Sequence, residues 1–240
     1  MKILLTSGGT KVPIDNVRYI GNISKGGFGQ RLASCALIRG HKVDHIVAED
    51  APTPFEFKVD LCAGRHVDYE SMLQDLHSFS RKYMSKYKCL RYNTYDEYLK
   101  LVHERMTNFD YDAAIMCAAV SDYGVKKHDG KLKSEDGKVN LVLFKLAKVI
   151  KDVKCIKPET LLVGFKLLVN EDRQSLVCAA EDMIVDSNCD FVVANDLRDL
   201  KSDLKTITVV SDYEDFDFTG NSESAALEVI ETTEKYFEGF

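Results

Sequence analysis

At 240 residues, with 45% hydrophobic and 29% charged side chains, the chain has the make-up of one α/β-sized globular domain able to bury a full core. A net charge of −6 argues against a general nucleic-acid surface and leaves room only for a local basic pocket. Seven cysteines with no C-x-x-C pair disfavour a closed disulfide framework and point to a reducing, cytoplasmic setting. Met1-Lys2 leads into a strand-like run rather than a signal peptide, and no apolar stretch approaches the ~20 residues of a spanning helix.

Residues 2–7 read as a buried strand that stops at Gly8-Gly9, where the backbone can take positive φ or approach a ligand closely. Residues 12–22 read as irregular, with Pro13 and Asp15 as turn formers. A second glycine cluster (Gly26, Gly27, Gly29) opens a helix running to about Arg39. Loops of this kind, followed by a helix N-terminus, favour anions, and a nucleotide and a phosphorylated substrate are the ligands expected. Residues 42–47 form the next strand. In the segment 58–107 the spacing predicts helices over 69–87 and 94–106, the second opened by a Thr94/Glu97 capping box.

Residues 112–120 read as a central strand buried on both faces, ending at Ser121-Asp122-Tyr123. The charged stretch that follows, with Lys126, Lys127, Lys131, Lys133 and Lys138, reads as a solvated loop or as a mobile basic lid over 124–138 that closes on a polyphosphate. Strands are expected at 139–144, 161–169, 191–194 and 206–210, and helices at 173–187 and 222–237. Alternating strands and helices imply a mainly parallel sheet covered on both faces, within a single domain spanning 1–240. In such sheets ligands sit past the carboxyl ends of the strands, which here carry Gly8-Gly9, Ser121-Asp122 and Asn195-Asp196. Asn195 and Asp196 serve equally well as helix caps or as ligand contacts. No Cys/His metal spacing occurs, so a Mg²⁺ ion would be held mainly through nucleotide phosphates.

The run Thr6-Ser7-Gly8-Gly9-Thr10, then Pro13-Ile14-Asp15, Val17-Arg18-Tyr19-Ile20, Asn22, Ser24 and Gly26, resembles the opening signature of phosphopantothenate–cysteine ligases. Ala118-Ala119-Val120-Ser121-Asp122-Tyr123, Lys131-Leu132-Lys133-Ser134, Gly164-Phe165-Lys166 and Ala194-Asn195-Asp196 follow in the same order. The resemblance implies a Rossmann-like three-layer α/β fold with a lid and dimerisation segment, and a homodimer. It also implies ATP- or CTP-driven joining of 4′-phosphopantothenate to cysteine through an acyl-nucleotidylate. Carried onto this sequence, Asn22 would hold the acyl-nucleotidylate with Arg18 and Ala119 beside it. Gly8, Gly9, Cys117, Ala118, Ala119, Asp122, Lys148 and Phe165 would line the nucleotide, and Lys131 would reach its triphosphate. Where the family has Asn-Pro-(Asp/Lys)-Ile this chain has Leu146-Ala147-Lys148-Val149. Two lysines of bacterial members fall near Met183 and Ser187, which leaves ATP and CTP both open. With no decarboxylase domain ahead of it, the chain resembles the monofunctional ligases.

The rival reading is an NAD(P)-dependent short-chain reductase, from Glu49 and Asp50 as ribose ligands and the Y-x-x-x-K spacing of Tyr123 and Lys127. Against it, the first loop lacks G-x-G-x-x-G.

Overall fold

The structure, a computed structural model, describes residues 1–56, 68–133, 137–201 and 204–239. Its centre is an eight-stranded sheet. The chain begins with β1 (Lys2–Ser7), the short hairpin β2 (Lys11–Pro13) and β3 (Tyr19–Gly21), then α1 (Gly27–Ile38) and β4 (Lys42–Ala48). Next come α2 (Tyr69–Tyr83), β5 (Tyr87–Tyr92), α3 (Tyr95–Asn108) and β6 (Ala113–Met116). A second small hairpin, β7 (Tyr123–Val125) with β8 (Leu143–Lys145), precedes α4 (Val149–Ile156), β9 (Leu161–Leu168) and α5 (Arg173–Ser187). The chain closes with β10 (Phe191–Asp196), α6 (Leu197–Lys201), β11 (Lys205–Ser211), β12 (Asp215–Gly220) and α7 (Ser222–Glu238).

Strand order across the sheet is β12-β11-β10-β9-β6-β1-β4-β5. The six strands from β10 to β5 are parallel, and β11 and β12 add an antiparallel edge. Alternation along β1 explains the layers: Ile3 and Leu5 join Leu32 and Leu37 of α1 and Val229 of α7 on one face, whereas Leu4 joins Tyr98 of α3, Val153 of α4 and Ala180 of α5 on the other. Each large side chain fully buried in this way contributes about 1.5–3 kcal/mol. The predicted capping box is present, with Thr94 Oγ1 accepting from Glu97 N and Glu97 reaching back to Thr94 N.

Several expectations needed correction. The helix predicted over 69–87 ends at Tyr83, and a strand, β5, begins at Tyr87. Its sequence, Tyr-Lys-Cys-Leu-Arg-Tyr, is polar because it lies at a sheet edge with only one neighbour. The enlarged segment 58–107 is therefore mixed rather than helical, and its first part, 58–67, lies outside the described residues. The central strand stops at Met116, and the strand expected at 139–144 is the short, exposed β8, paired only with β7. Residues 12–22, expected to be irregular, hold the β2–β3 hairpin.

Candidate active site

In the sheet order the chain winds outward in both directions from β1, so the switch point lies between β1 and β6, where open α/β sheets leave a crevice for ligands. Here the two loops are joined across that point. Ala119 N donates to Gly8 O (2.8 Å), Thr10 N donates to Ala119 O (3.2 Å), and Ala118 N donates to Thr6 Oγ1 (3.2 Å). Ser121 N donates to the buried Thr10 Oγ1 (2.9 Å), extending the seam. The Ala118 and Ala119 amides are thus spent within the protein and offer no free N–H to the space beside them.

The seam leaves two cavities. The larger, about 510 Å³, lies between the amino end of α1 and the strand ends, and its walls include Gly8, Gly26, Phe28, Cys117, Ala119 and Asn195. Gly26 caps α1 at φ 69° with no side-chain hydrogen bond, so the first-turn amides of α1 have no side-chain acceptor there. Lys25 and Arg31 line the same end. Burial pushes the Cys117 thiol up to about 12, so it stays protonated and is a poor nucleophile. The smaller cavity, about 140 Å³, opens on the α5 face between Met116, Asp122, Lys148 and Met183. Ala118 and Phe165 line both, and Phe165 meets Phe28 edge-on at 6.1 Å. Lys148 Nζ and Asp122 Oδ1 form an ion pair in the smaller cavity, each side chain about half exposed.

Asn22, Arg18 and Lys131 line neither cavity. Asn22 nevertheless abuts the seam, because its Nδ2 donates to Val120 O (3.0 Å), two residues from Asp122. Its carbonyl oxygen comes so near Gly9 that a Cβ there would lie 2.8 Å away. The Arg18 guanidinium lies 3.6 Å from Asp15 and donates to Leu132 O (3.2 Å). Asp15 is buried, yet it accepts from the backbone N–H groups of Val17 and Arg18 (both 2.8 Å) and Leu132 (3.1 Å). Desolvation raises the Asp15 pKa, but these hydrogen bonds outweigh it and hold the carboxyl below its usual range. Asn16 N donates to Gly130 O (3.0 Å), so the basic stretch around exposed Lys131 is stitched to the β2–β3 hairpin beside Arg18. Residues 134–136 of the expected lid, including Ser134, lie outside the described residues.

Asn195 and Asp196 divide the two roles between them. Asp196 is buried and accepts from Glu171 N, Arg198 N and Arg198 Nε, each at 2.8 Å. The Arg198 side chain foremost, then its backbone N–H, holds the carboxyl at about 2, so Asp196 anchors loops. Asn195 instead lines the larger cavity. Tyr123 begins β7 and is not in a helix, so its i,i+4 spacing to Lys127 does not bring the two onto one helical face and the reductase reading loses its dyad. Sequence reasoning did not single out Phe28, nor Lys25 and Arg31 beside the α1 amides; their signal was proximity to the second glycine cluster. Among the described residues no three His, Cys, Asp or Glu side chains converge as a metal set. No helix among them is long and apolar enough to cross a membrane.

The chain is 30% identical over 210 residues to the coenzyme A biosynthesis bifunctional protein CoaBC of Thermococcus kodakarensis, covering 87% of this chain and 44% of that protein. It thus spans about half the length of the curated relatives it matches. A crystal structure of a DNA/pantothenate metabolism flavoprotein from Streptococcus pneumoniae superposes with a TM-score of 0.79 at 26% identity, covering 98% of this chain and 99% of that one. A histidine-to-alanine variant of Cab2 in complex with phosphopantothenate-cysteine shares the fold, with a TM-score of 0.81 at 23% identity over 99% of this chain and 87% of that one. The profile of the DNA/pantothenate metabolism flavoprotein C-terminal domain matches residues 1–68 and 78–234, and the chain belongs to that family.

Proposed function

We propose that this chain joins 4′-phosphopantothenate to cysteine at the expense of ATP or CTP, through an acyl-nucleotidylate. The observation that carries this reading is the meeting of two cavities at Ala118 and Phe165, beside a seam that Asn22 abuts: two substrates can meet there across a shared wall. In the first step the carboxylate oxygen attacks the α-phosphorus and pyrophosphate leaves with the bond electrons. In the second, the cysteine nitrogen, having lost one proton, bonds to the acyl carbon as the acyl C–O bond breaks. The nucleoside monophosphate leaves with that electron pair, and the nitrogen sheds a second proton.

Such chemistry asks the protein for positioning and charge neutralisation rather than for an activated nucleophile. The nucleotide lies against the wall that the two cavities share, Ala118 and Phe165, with Gly8, Cys117 and Ala119 on the larger side, Asp122 and Lys148 at the mouth of the smaller, and Gly9 next to Gly8 in the chain. Asn22 and Ala119 hold the mixed anhydride, Asn22 as a neutral donor and acceptor that orients without attacking. Arg18, whose guanidinium donates to Leu132 O, and Lys131, the residue before Leu132 in the basic stretch, neutralise phosphate charge. Without a converging carboxylate set among the described residues, Mg²⁺ would draw its oxygens from nucleotide phosphates and water, adding charge neutralisation there.

A homodimer is supported by the β7–β8 arm, which exposes Tyr123, Val142, Leu143 and Phe144 together, a surface monomers seldom leave uncovered. Free thiols at all six described cysteines suit a cytoplasmic setting. The test is pyrophosphate release with phosphopantothenate and cysteine, run in parallel with ATP and with CTP. Release that needs phosphopantothenate and one of the nucleotides, and that continues beyond a single turnover only with cysteine, is expected, and no release with either nucleotide would end this reading.

A further inference from the structure

The short connection between β8 and α4, residues 146–148, forms part of the rim of the smaller cavity, where Ala147, Lys148, Val149 and Ile150 line it in succession. Lys148 is the N-cap of α4 but makes no capping hydrogen bond, and its Nζ instead reaches Asp122 at the mouth. Two hydrogen bonds tie this connection to its surroundings. Leu146 N donates to Asp122 O (2.8 Å), and Tyr95 OH donates to Ala147 O (2.7 Å). Tyr95 is buried and is the first residue of α3, directly after the Thr94–Glu97 capping box, so its ring departs from a secured helix start. Burial foremost raises the pKa of its hydroxyl, which therefore remains a donor. The two helices are joined again where His103 Nε2 lies 2.8 Å from Asp152 Oδ2, so α4 has a tie to α3 that does not pass through Tyr95.

A peptide unit is planar, and the unit that carries Ala147 O ends at the Lys148 Cα. Holding that carbonyl therefore sets the direction in which the Lys148 side chain leaves the backbone. A lysine stem is flexible, so this direction decides which volume its ammonium samples and how much freedom it loses on meeting a ligand. We propose that Tyr95 is a positioning residue for the nucleotide: its hydroxyl fixes the Ala147–Lys148 peptide and so keeps the Lys148 ammonium at the cavity mouth. This rests on the ligation reading above, with the nucleotide at that mouth, and adds a residue that lines neither cavity. The same connection carries the backbone bond to Asp122, so both members of the Lys148–Asp122 pair hang on the segment that Tyr95 steadies.

The experiment measures nucleotide Kd by calorimetry, with ATP and with CTP, for the whole chain and for Tyr95→Phe, Lys148→Ala and the double variant. Tyr95→Phe keeps the ring, and the exposed Ala147 leaves its carbonyl to water, so the fold should be retained. Tyr95→Phe is expected to weaken nucleotide binding threefold or more while the phosphopantothenate KM stays within twofold. In the Lys148→Ala background the same change should cost less than a further twofold, because no ammonium remains to be held in place. A Kd within twofold in Tyr95→Phe overturns the proposal, including where the thermal midpoint falls, since Tyr95 would then be merely structural. So do fully additive losses in the double variant, which would mean that Tyr95 acts by a route other than Lys148. Nucleotide binding by the unsubstituted chain without pyrophosphate release would bring down the ligation reading and leave this comparison of Kd values to decide the role of Tyr95. Binding of neither nucleotide would end both.

Discussion

The two cavities on either side of Phe165 are built by opposite means. The larger is shaped by missing side chains: a Cβ on Gly29 would sit 2.2 Å from Ser7 Cβ, so only glycine lets α1 bring its amino end over the end of β1. The smaller is shaped by side chains that are present, with Met116, Val149 and Met183 as its walls and the Lys148–Asp122 pair at its opening. Backbone construction gives a rigid anion-tolerant surface that substitution destroys, while side-chain construction gives a pocket whose occupant can be retuned residue by residue. Met183 illustrates the second case. It stands near where bacterial relatives of the resembled family carry a lysine, and its methyl would lie 2.9 Å from a Cβ on Gly164.

The largest effect is expected where the two regions meet. Asn22→Ala should keep the fold, since Asn22 is exposed and loses a single hydrogen bond to Val120 O, yet lower turnover by about 10²–10³. Near-normal kcat would move the junction elsewhere. On the backbone-built side, Gly29→Ala should destabilise by about 1–3 kcal/mol through forced overpacking against Ser7, read as a fall in thermal midpoint. A midpoint unchanged within error would mean that α1 can shift and that the larger cavity is softer than its glycines suggest.

A pH experiment probes the floor of the same region. Ser7 Oγ lies 2.7 Å from His45 Nε2, and His45 Nδ1 lies 2.9 Å from Tyr87 OH, so β1, β4 and β5 are tied together under the cavity. Burial drives the His45 pKa from 6.5 down to about 3. The unfolded chain therefore binds a proton near pH 6.5 that the folded chain refuses until about pH 3, and stability should fall by about 1.4 kcal/mol per unit between those values as pH drops. His45→Gln should flatten this slope in denaturant titrations. It should not abolish it, because the His41 pKa is also lowered, by burial foremost, and acts with the same sign. An identical slope in the variant would show that His45 is not the group titrating.

Smaller effects belong to the side-chain-built cavity. Lys148→Ala should leave stability within about 1 kcal/mol, as exposed ion pairs do, while raising the nucleotide KM several-fold. Lys131→Ala, exposed on the basic stretch, should raise the nucleotide KM by a smaller factor, and unchanged KM and kcat would remove it from the site.

Parallel architecture was legible because apolar runs and capping signals are local: β1, α3 with its Thr94 cap, and α5 stand close to where periodicity put them. The misses share a cause. Edge strands β5 and β12 alternate or lack apolar residues because one side faces water, so their pattern resembles loop or helix until a neighbour is known. Likewise Asn195 and Asp196 are indistinguishable in sequence, and only the approach of Arg198 and Glu171 makes one an anchor and leaves the other to the cavity.

The sequence by itself determined the elements that glycines and apolar runs specify, and the family signature they carry, because those depend on neighbours a few residues away. Tertiary structure alone decided that the loops after β1 and β6 close into a seam, that Phe165 parts two cavities, and that Asn22 rests against Val120. These are contacts between segments about a hundred residues apart, and no local preference of the chain encodes which of them will meet.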